Sequence, residues 1–224
     1  MIFALLGKDL RKMWLLAIAF AVFSIVICAV LFQEDYIRES SYGSGAALIM
    51  SGMMLYMLVF GGLMNIEKYE EKHNGYKMMA VLPLPNSILV TVKYGILFVS
   101  TLVGIVYLLI VLKAFGVMEN AFGQKLNYLL ICGFVGLAAN GLMYVGIFKH
   151  SYHRMRAVTM VIYIGMLIGP QLLHFLLQMR GDEAGFIRII DSVPVIGVWL
   201  ITAVSLAVYW GSCYVSIRNV RPEE

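Results

Sequence analysis

Apolar runs of about twenty residues alternate along the chain with short polar stretches. A bilayer core ~30 Å thick takes about 20 residues of helix to cross. Six runs supply that length: Trp14–Gln33, Gly45–Met64, Ile88–Leu112, Asn127–Phe148, Ala157–Leu177 and Ile196–Ile217. The pattern predicts an all-α, polytopic membrane protein whose six transmembrane helices form one domain over residues 1–224. Ahead of the first run, residues 1–12 ("MIFALLGKDLRK") would turn Phe3, Leu6 and Leu10 to one side of a helix and Lys8, Arg11 and Lys12 largely to the other. That is the pattern of a helix lying in the membrane interface. Its charges come after its apolar residues, the reverse of a secretory signal.

Composition agrees with the pattern. The chain is 61% hydrophobic and 13% charged, with a mean hydropathy of +0.86, whereas soluble domains carry about 25% charged residues. A net charge of +4 without a basic face gives nucleic acid nothing to bind. The positive excess reads instead as orientation, because Lys and Arg gather in short cytoplasmic loops. With both termini inside, that side holds Lys8, Arg11, Lys12, Lys68, Lys72, Lys77, Lys93, Lys149, Arg154, Arg156, Arg218 and Arg221. The outer side holds Arg38, Lys113, Lys125, Arg180 and Arg188. Lys93 sits within the third run, near its start, from which it could snorkel to the headgroups. Cys28, Cys132 and Cys213 fall in apolar runs, too scattered for a disulfide framework or a metal set.

The runs hold no carboxylate at mid-membrane depth, where ion-coupled transporters keep theirs. Asn140, Gln171 and His174 are mild polar residues suited to hydrogen bonds between helices. "LLGKDL" lacks the upstream glycine and the Ser or Thr of a phosphate-binding loop. His150 and His153 in "KHSYHRMR" have no third metal ligand near them. The expectation is a chain that is no enzyme and holds no metal or cofactor of its own.

Residues 66–87 form the longest polar insert on the cytoplasmic side. Glu67, Glu70 and Glu71 precede Lys72 and Lys77, the order that suits a helix dipole. Tyr69, His73, Tyr76 and Ala80 recur at helical spacing, an aromatic ridge on a charged rod. Asn74-Gly75 permits a break, and Pro83 and Pro85 stop a helix ahead of the third run.

At "MMAVLPLPNSILVTVKY", following a Glu-Lys pair and an Asn-Gly step, the chain resembles the type-two ATP-binding-cassette exporter permeases. The resemblance extends over the whole chain. It implies paired six-helix permeases, each docked on a separate cytoplasmic ATPase through a coupling helix between spans two and three. ATP and magnesium would belong to that ATPase. Carried onto this sequence, residues 1–12 become the elbow helix, and Glu67, Lys68, Glu71, Tyr76 and Lys77 become the ATPase-coupling side chains. A second permease copy, or a close relative, and membrane lipid complete the partners. The short single domain is similar to bacterial permeases that export antimicrobial or toxic peptides, including bacteriocin-immunity and phenol-soluble-modulin exporters. The implied location is the bacterial cell membrane.

In such permeases the second and fifth helices line the path. Here Met50, Met53, Met54, Met57 and Met64 form a stripe on the second span, with Tyr56 and Phe60 nearby. Methionine suits varied apolar partners, so Met50, Met53, Met57 and Phe60 are expected on the path. Ordinary helix packing would use the same stripe. In the fifth span Gly169-Pro170 should kink the helix, with Gln171 and His174 just beyond as a candidate outer gate. Residues 178–195 read as an amphipathic outer segment. Such a path fits an amphipathic cargo, above all a peptide. The competing readings are a lipid or antibiotic exporter, or a stand-alone immunity or channel protein without an ATPase.

Overall fold

A computed structural model describes residues 7, 17–22, 24–26, 29, 41–72, 85–115, 122–150, 152–179 and 192–219. All regular secondary structure among these residues is helical. Six helices follow in order: α1 (Ala17–Val26), α2 (Ser41–Lys72), α3 (Asn86–Ala114), α4 (Phe122–His150), α5 (Tyr152–Met179) and α6 (Val195–Asn219). Ser87–Ala114, Leu126–His150, Tyr152–Leu177 and Val195–Asn219 are long and apolar enough to cross a membrane, and α1 is a shorter apolar helix. The interfacial helix expected at residues 1–12 lies, apart from residue 7, outside the described residues, as do residues 73–84 of the polar insert and 180–191 of the outer segment.

The helix ends show local causes. Pro85 precedes α3 with φ −64° and ψ 137°, and its carbonyl accepts the Ile88 N–H at 2.9 Å. Proline suits that place because the first N–H groups of a helix lack partners in any case. The α2 helix departs from expectation. Its 32 residues reach about 48 Å at 1.5 Å per residue, and the helix runs past Met64 without a break to Lys72. Residues 67–72 are therefore the end of α2 and not the start of a separate coupling helix. Likewise α4 and α5 run to His150 and from Tyr152, so most of the basic stretch expected as a loop is helical. The α5 helix passes through Gly169-Pro170 uninterrupted.

The fourth helix is the hub. It packs on α2, α3, α5 and α6, with α2 also touching α3 and α5 and α3 touching α6. In lipid, helices gain little from burying apolar surface on one another, so close approach and polar contacts hold them together. Both meet at Gly141. A Cβ there would lie 2.5 Å from Ser212 Oγ and 2.8 Å from Tyr209 Cδ2, so only glycine lets α6 come so near α4. The Tyr94 hydroxyl of α3 donates to the Gly141 carbonyl at 2.8 Å and lies 2.9 Å from the Ser216 hydroxyl. The Tyr209 hydroxyl in turn donates to the backbone carbonyl of Tyr94. Tyr94, Tyr144 and Tyr209 are wholly buried, the Tyr94 ring tilted 5.3 Å from Tyr144 and 5.0 Å from Tyr209.

Farther along α3, the Tyr107 hydroxyl donates to the Ala21 carbonyl at 2.9 Å and accepts from the Ser24 hydroxyl at 3.1 Å, which docks α1. Cys213 is buried and Cys132 half-buried, both free thiols.

Gly141→Ala should therefore push α4 from α6 and cost about 1–3 kcal/mol by overpacking, read as a lower thermal midpoint in detergent. Gly165→Ala, where an added Cβ meets nothing within 4 Å, should leave the midpoint unchanged. Equal midpoints for the two variants would contradict the role assigned to Gly141.

Candidate functional site

Two groups of side chains on α2 face its neighbours, one at the C-terminal end of the helix and one at mid-helix. At the C-terminal end Glu67 is ion-paired with Lys93 of α3. Glu67 is 0% exposed and Lys93 2%. Removing a charge from water costs several kcal/mol unless a partner compensates, so each residue accounts for the burial of the other. Lys93 Nζ also lies 6.0 Å from the centroid of the Phe148 ring on α4, within cation–π range.

Both sequence expectations for these residues need correcting. Lys93 does not snorkel outward, because its ammonium has a carboxylate within the bundle. Glu67 does not lie on the exposed side of the charged rod but turns toward α3. Its i+4 neighbour Glu71 is exposed, as is Lys68, and Glu71 Oε1 is 4.0 Å from His153 Nδ1 on α5. The adjacent Tyr152 hydroxyl donates to the Met64 thioether at 3.5 Å. The end of α2 is thus joined to α3 and α5 immediately before the polar insert continues. Tyr76 and Lys77 lie outside the described residues.

At mid-helix, α2 meets α4 and α5 through aromatic rings and thioethers. Phe60 and Tyr163 stack at 4.5 Å, Tyr56 and Phe60 at 5.7 Å, and Tyr56 and Tyr163 at 5.9 Å. Met143 of α4 joins this cluster, with Met64 and Met166 packed against it. Further toward the N-terminus of α2, half-buried Met53 packs against Tyr128, and its thioether accepts the Gln171 amide N–H at 3.0 Å. Met57 is 36% exposed. The side chains of Met50 and His174 lie outside the described residues.

The expected path residues therefore divide. Met53 and Gln171 join α2 to α5 and Met57 is exposed, while Phe60 is buried within the stack and Met54 belongs to the main core. Sequence reasoning overlooked Tyr163 and Met166 on α5 and the pairing of Lys93. A lysine inside an apolar run was itself the signal, since a charge at that depth calls for a partner. Rings and thioethers together offer a surface on which apolar groups of many shapes can pack.

The profile of a family described as "ABC-2 family transporter protein" matches residues 3–221. No curated protein and no solved structure matches the chain. Permeases of this family generally pair with an ATPase subunit and typically have no catalytic activity of their own. An all-helical bundle with several spans, a buried ionic tie at the end of one long helix and an apolar seam beside it fits that assignment, and the chain belongs to the ABC-2 family, as the membrane subunit of an ABC transporter.

Proposed function

We infer that the chain is the permease of an exporter that moves an amphipathic substrate, a peptide before other classes, out across the bacterial cell membrane. In this reading six helices span the membrane with both termini inside, and a separate ATPase binds ATP and magnesium and docks on the insert after α2. One observation carries the reading. A single unbroken helix, α2, has the insert's root at one end and the ring-and-thioether seam on its flank. A push on the insert moves a rod whose side forms half of the seam. The Glu67–Lys93 pair makes α3 move with it, because separating two buried charges is expensive. Lys68 and Glu71, exposed at the end of that rod, remain available to the ATPase, with Tyr76 and Lys77 assigned to the same surface.

Two permease chains, identical or closely related, would complete the transporter. The α5 helix supports this, since none of its described side chains from residue 160 to residue 177 is buried within the chain. Val161 and Ile168 turn outward, toward lipid or a second permease. Native mass spectrometry of the purified complex should give two permeases and two ATPases. A single permease in a transport-active complex would contradict this stoichiometry.

Coupling has a test that separates its two layers. Glu67→Gln alone should lower stability by about 3–5 kcal/mol, the usual cost of breaking a buried pair. The exchange Glu67→Lys with Lys93→Glu should recover most of that loss. Replacing Lys68, Glu71, Tyr76 and Lys77 by alanine should instead spare the thermal midpoint while copurification with the ATPase falls. Unchanged copurification and transport would remove these residues from the docking surface.

The cargo is tested at Met57. Met57→Ala should leave assembly intact and weaken stimulation of the ATPase by amphipathic peptides. Phe60→Ala is a poorer probe, because loss of a buried ring costs about 3–5 kcal/mol. If Met57→Ala preserves the response to peptides and loses that to lipids or small drugs, the exporter carries those and not peptides.

A further inference from the structure

The buried hydroxyls of the bundle mostly close on carbonyl groups: Thr101 on Leu97 at 2.8 Å, Thr159 on Met155 at 2.6 Å, Ser212 on Tyr209 at 2.7 Å. Two polar atoms, one on α2 and one on α4, do not. The Tyr56 hydroxyl and the Asn140 amide oxygen have no hydrogen-bond partner among the described residues, although Tyr56 is 7% exposed and Asn140 0%. A buried polar group without a partner is uncommon in native proteins and calls for a physical cause. In lipid, where no bulk water competes, the demand is stronger.

Both side chains meet Gly136 of α4. Asn140 Nδ2 donates to the Gly136 carbonyl one turn back, at 2.9 Å. The Tyr56 ring lies against the same glycine, its Cδ2 2.9 Å from where a Cβ would stand. The absence of a side chain at Gly136 is what lets the phenol of α2 settle on α4. The bond to Gly136 also fixes the Asn140 amide, since a carbonyl accepts only from the NH₂ side, and so leaves Oδ1 as a committed acceptor. Tyr56 brings a hydroxyl that can donate. Asn140 lies near the middle of the Leu126–His150 span, and the groups clustered around Tyr56 are Phe60, Met143, Tyr163 and Met166, rings and thioethers that accept hydrogen bonds weakly.

We propose that Tyr56 and Asn140 form the polar contact for the cargo, a mid-span site for one secondary amide of a peptide backbone. Tyr56 donates to the amide carbonyl and Asn140 Oδ1 accepts the amide N–H, while the rings and thioethers take up the flanking apolar side chains. A donor beside an acceptor with no fixed charge near them suits a neutral amide better than a carboxylate, a phosphate or an ammonium group. Tyr163, half-buried on the outlying α5, stacks over the Tyr56 and Phe60 rings and is the ring that moves when the site is entered. This rests on the peptide-export reading and adds to it the chemical group that is recognised.

The experiment uses the permease–ATPase complex in lipid nanodiscs and two fluorescent probes. One is an uncharged hexapeptide of alanine and leucine, and the other is the same peptide N-methylated at every backbone amide. The parent complex should prefer the unmethylated peptide by about tenfold, the scale of one or two hydrogen bonds. Tyr56→Phe and Asn140→Leu should each reduce that preference to below about threefold. Without peptide, Tyr56→Phe should melt at the same temperature as the parent or higher, because it deletes a group that has no partner. A fall in its midpoint would mean that the hydroxyl has a structural partner, and would overturn the site. So would equal binding of both peptides by the parent, which leaves peptide export standing. Binding of neither peptide, with the ATPase responding to lipid alone, would remove the export reading and the site with it.

Discussion

Helices in a bilayer cannot hold together by escaping water, because lipid tails are as apolar as leucine. What remains is close contact and polar pairing, and in this chain both are concentrated where α3, α4 and α6 meet. Gly141 supplies the approach, and the Tyr94, Tyr209 and Ser216 hydroxyls supply the pairing. With that junction closed, α4 is fixed and presents its other side to α2 and α5. The apolar seam is built on that second side. Tyr56 rests on Gly136, and Met143 lies among the stacked rings. The polar junction and the apolar seam belong to different flanks of one helix.

The ionic tie between Glu67 and Lys93 follows a different logic. A buried pair adds little net stability compared with well-packed apolar residues, yet it penalises any arrangement that separates the charges. Its effect is to fix which parts of α2 and α3 lie side by side. These two helices flank the polar insert, so the insert leaves and returns between fixed points.

Much of this architecture was legible in the sequence. The lengths of the apolar runs located the helices from α2 to α6, and Pro85 marked the start of α3. The end of α2 was not legible, because Glu67, Lys68, Glu71 and Lys72 at helical spacing look the same whether a helix continues or begins. The direction of Glu67 was hidden as well: its partner is 26 residues away, and local periodicity cannot register a contact between helices. The methionine stripe was visible, but a stripe about 100° wide serves several neighbours. Only tertiary packing sends Met54 to the core and Phe60 to the stack and leaves Met57 exposed. Tyr163 joins the stacked rings through the docking of α5, which nothing within the fifth run announces.

The junction around Gly141 also has a consequence for how the chain is made. Its α6 contributor leaves the ribosome after α3 and α4, so those two helices enter the membrane with the Tyr94 hydroxyl and the small surface at Gly141 still awaiting Ser216 and Tyr209. Until residue 216 has been inserted, a polar group inside the bilayer lacks one of its final partners. Closure of the junction in that sense waits on α6: a nascent chain stopped before that helix carries an uncovered hydroxyl and an open groove, features by which an incomplete bundle can be told from a closed one.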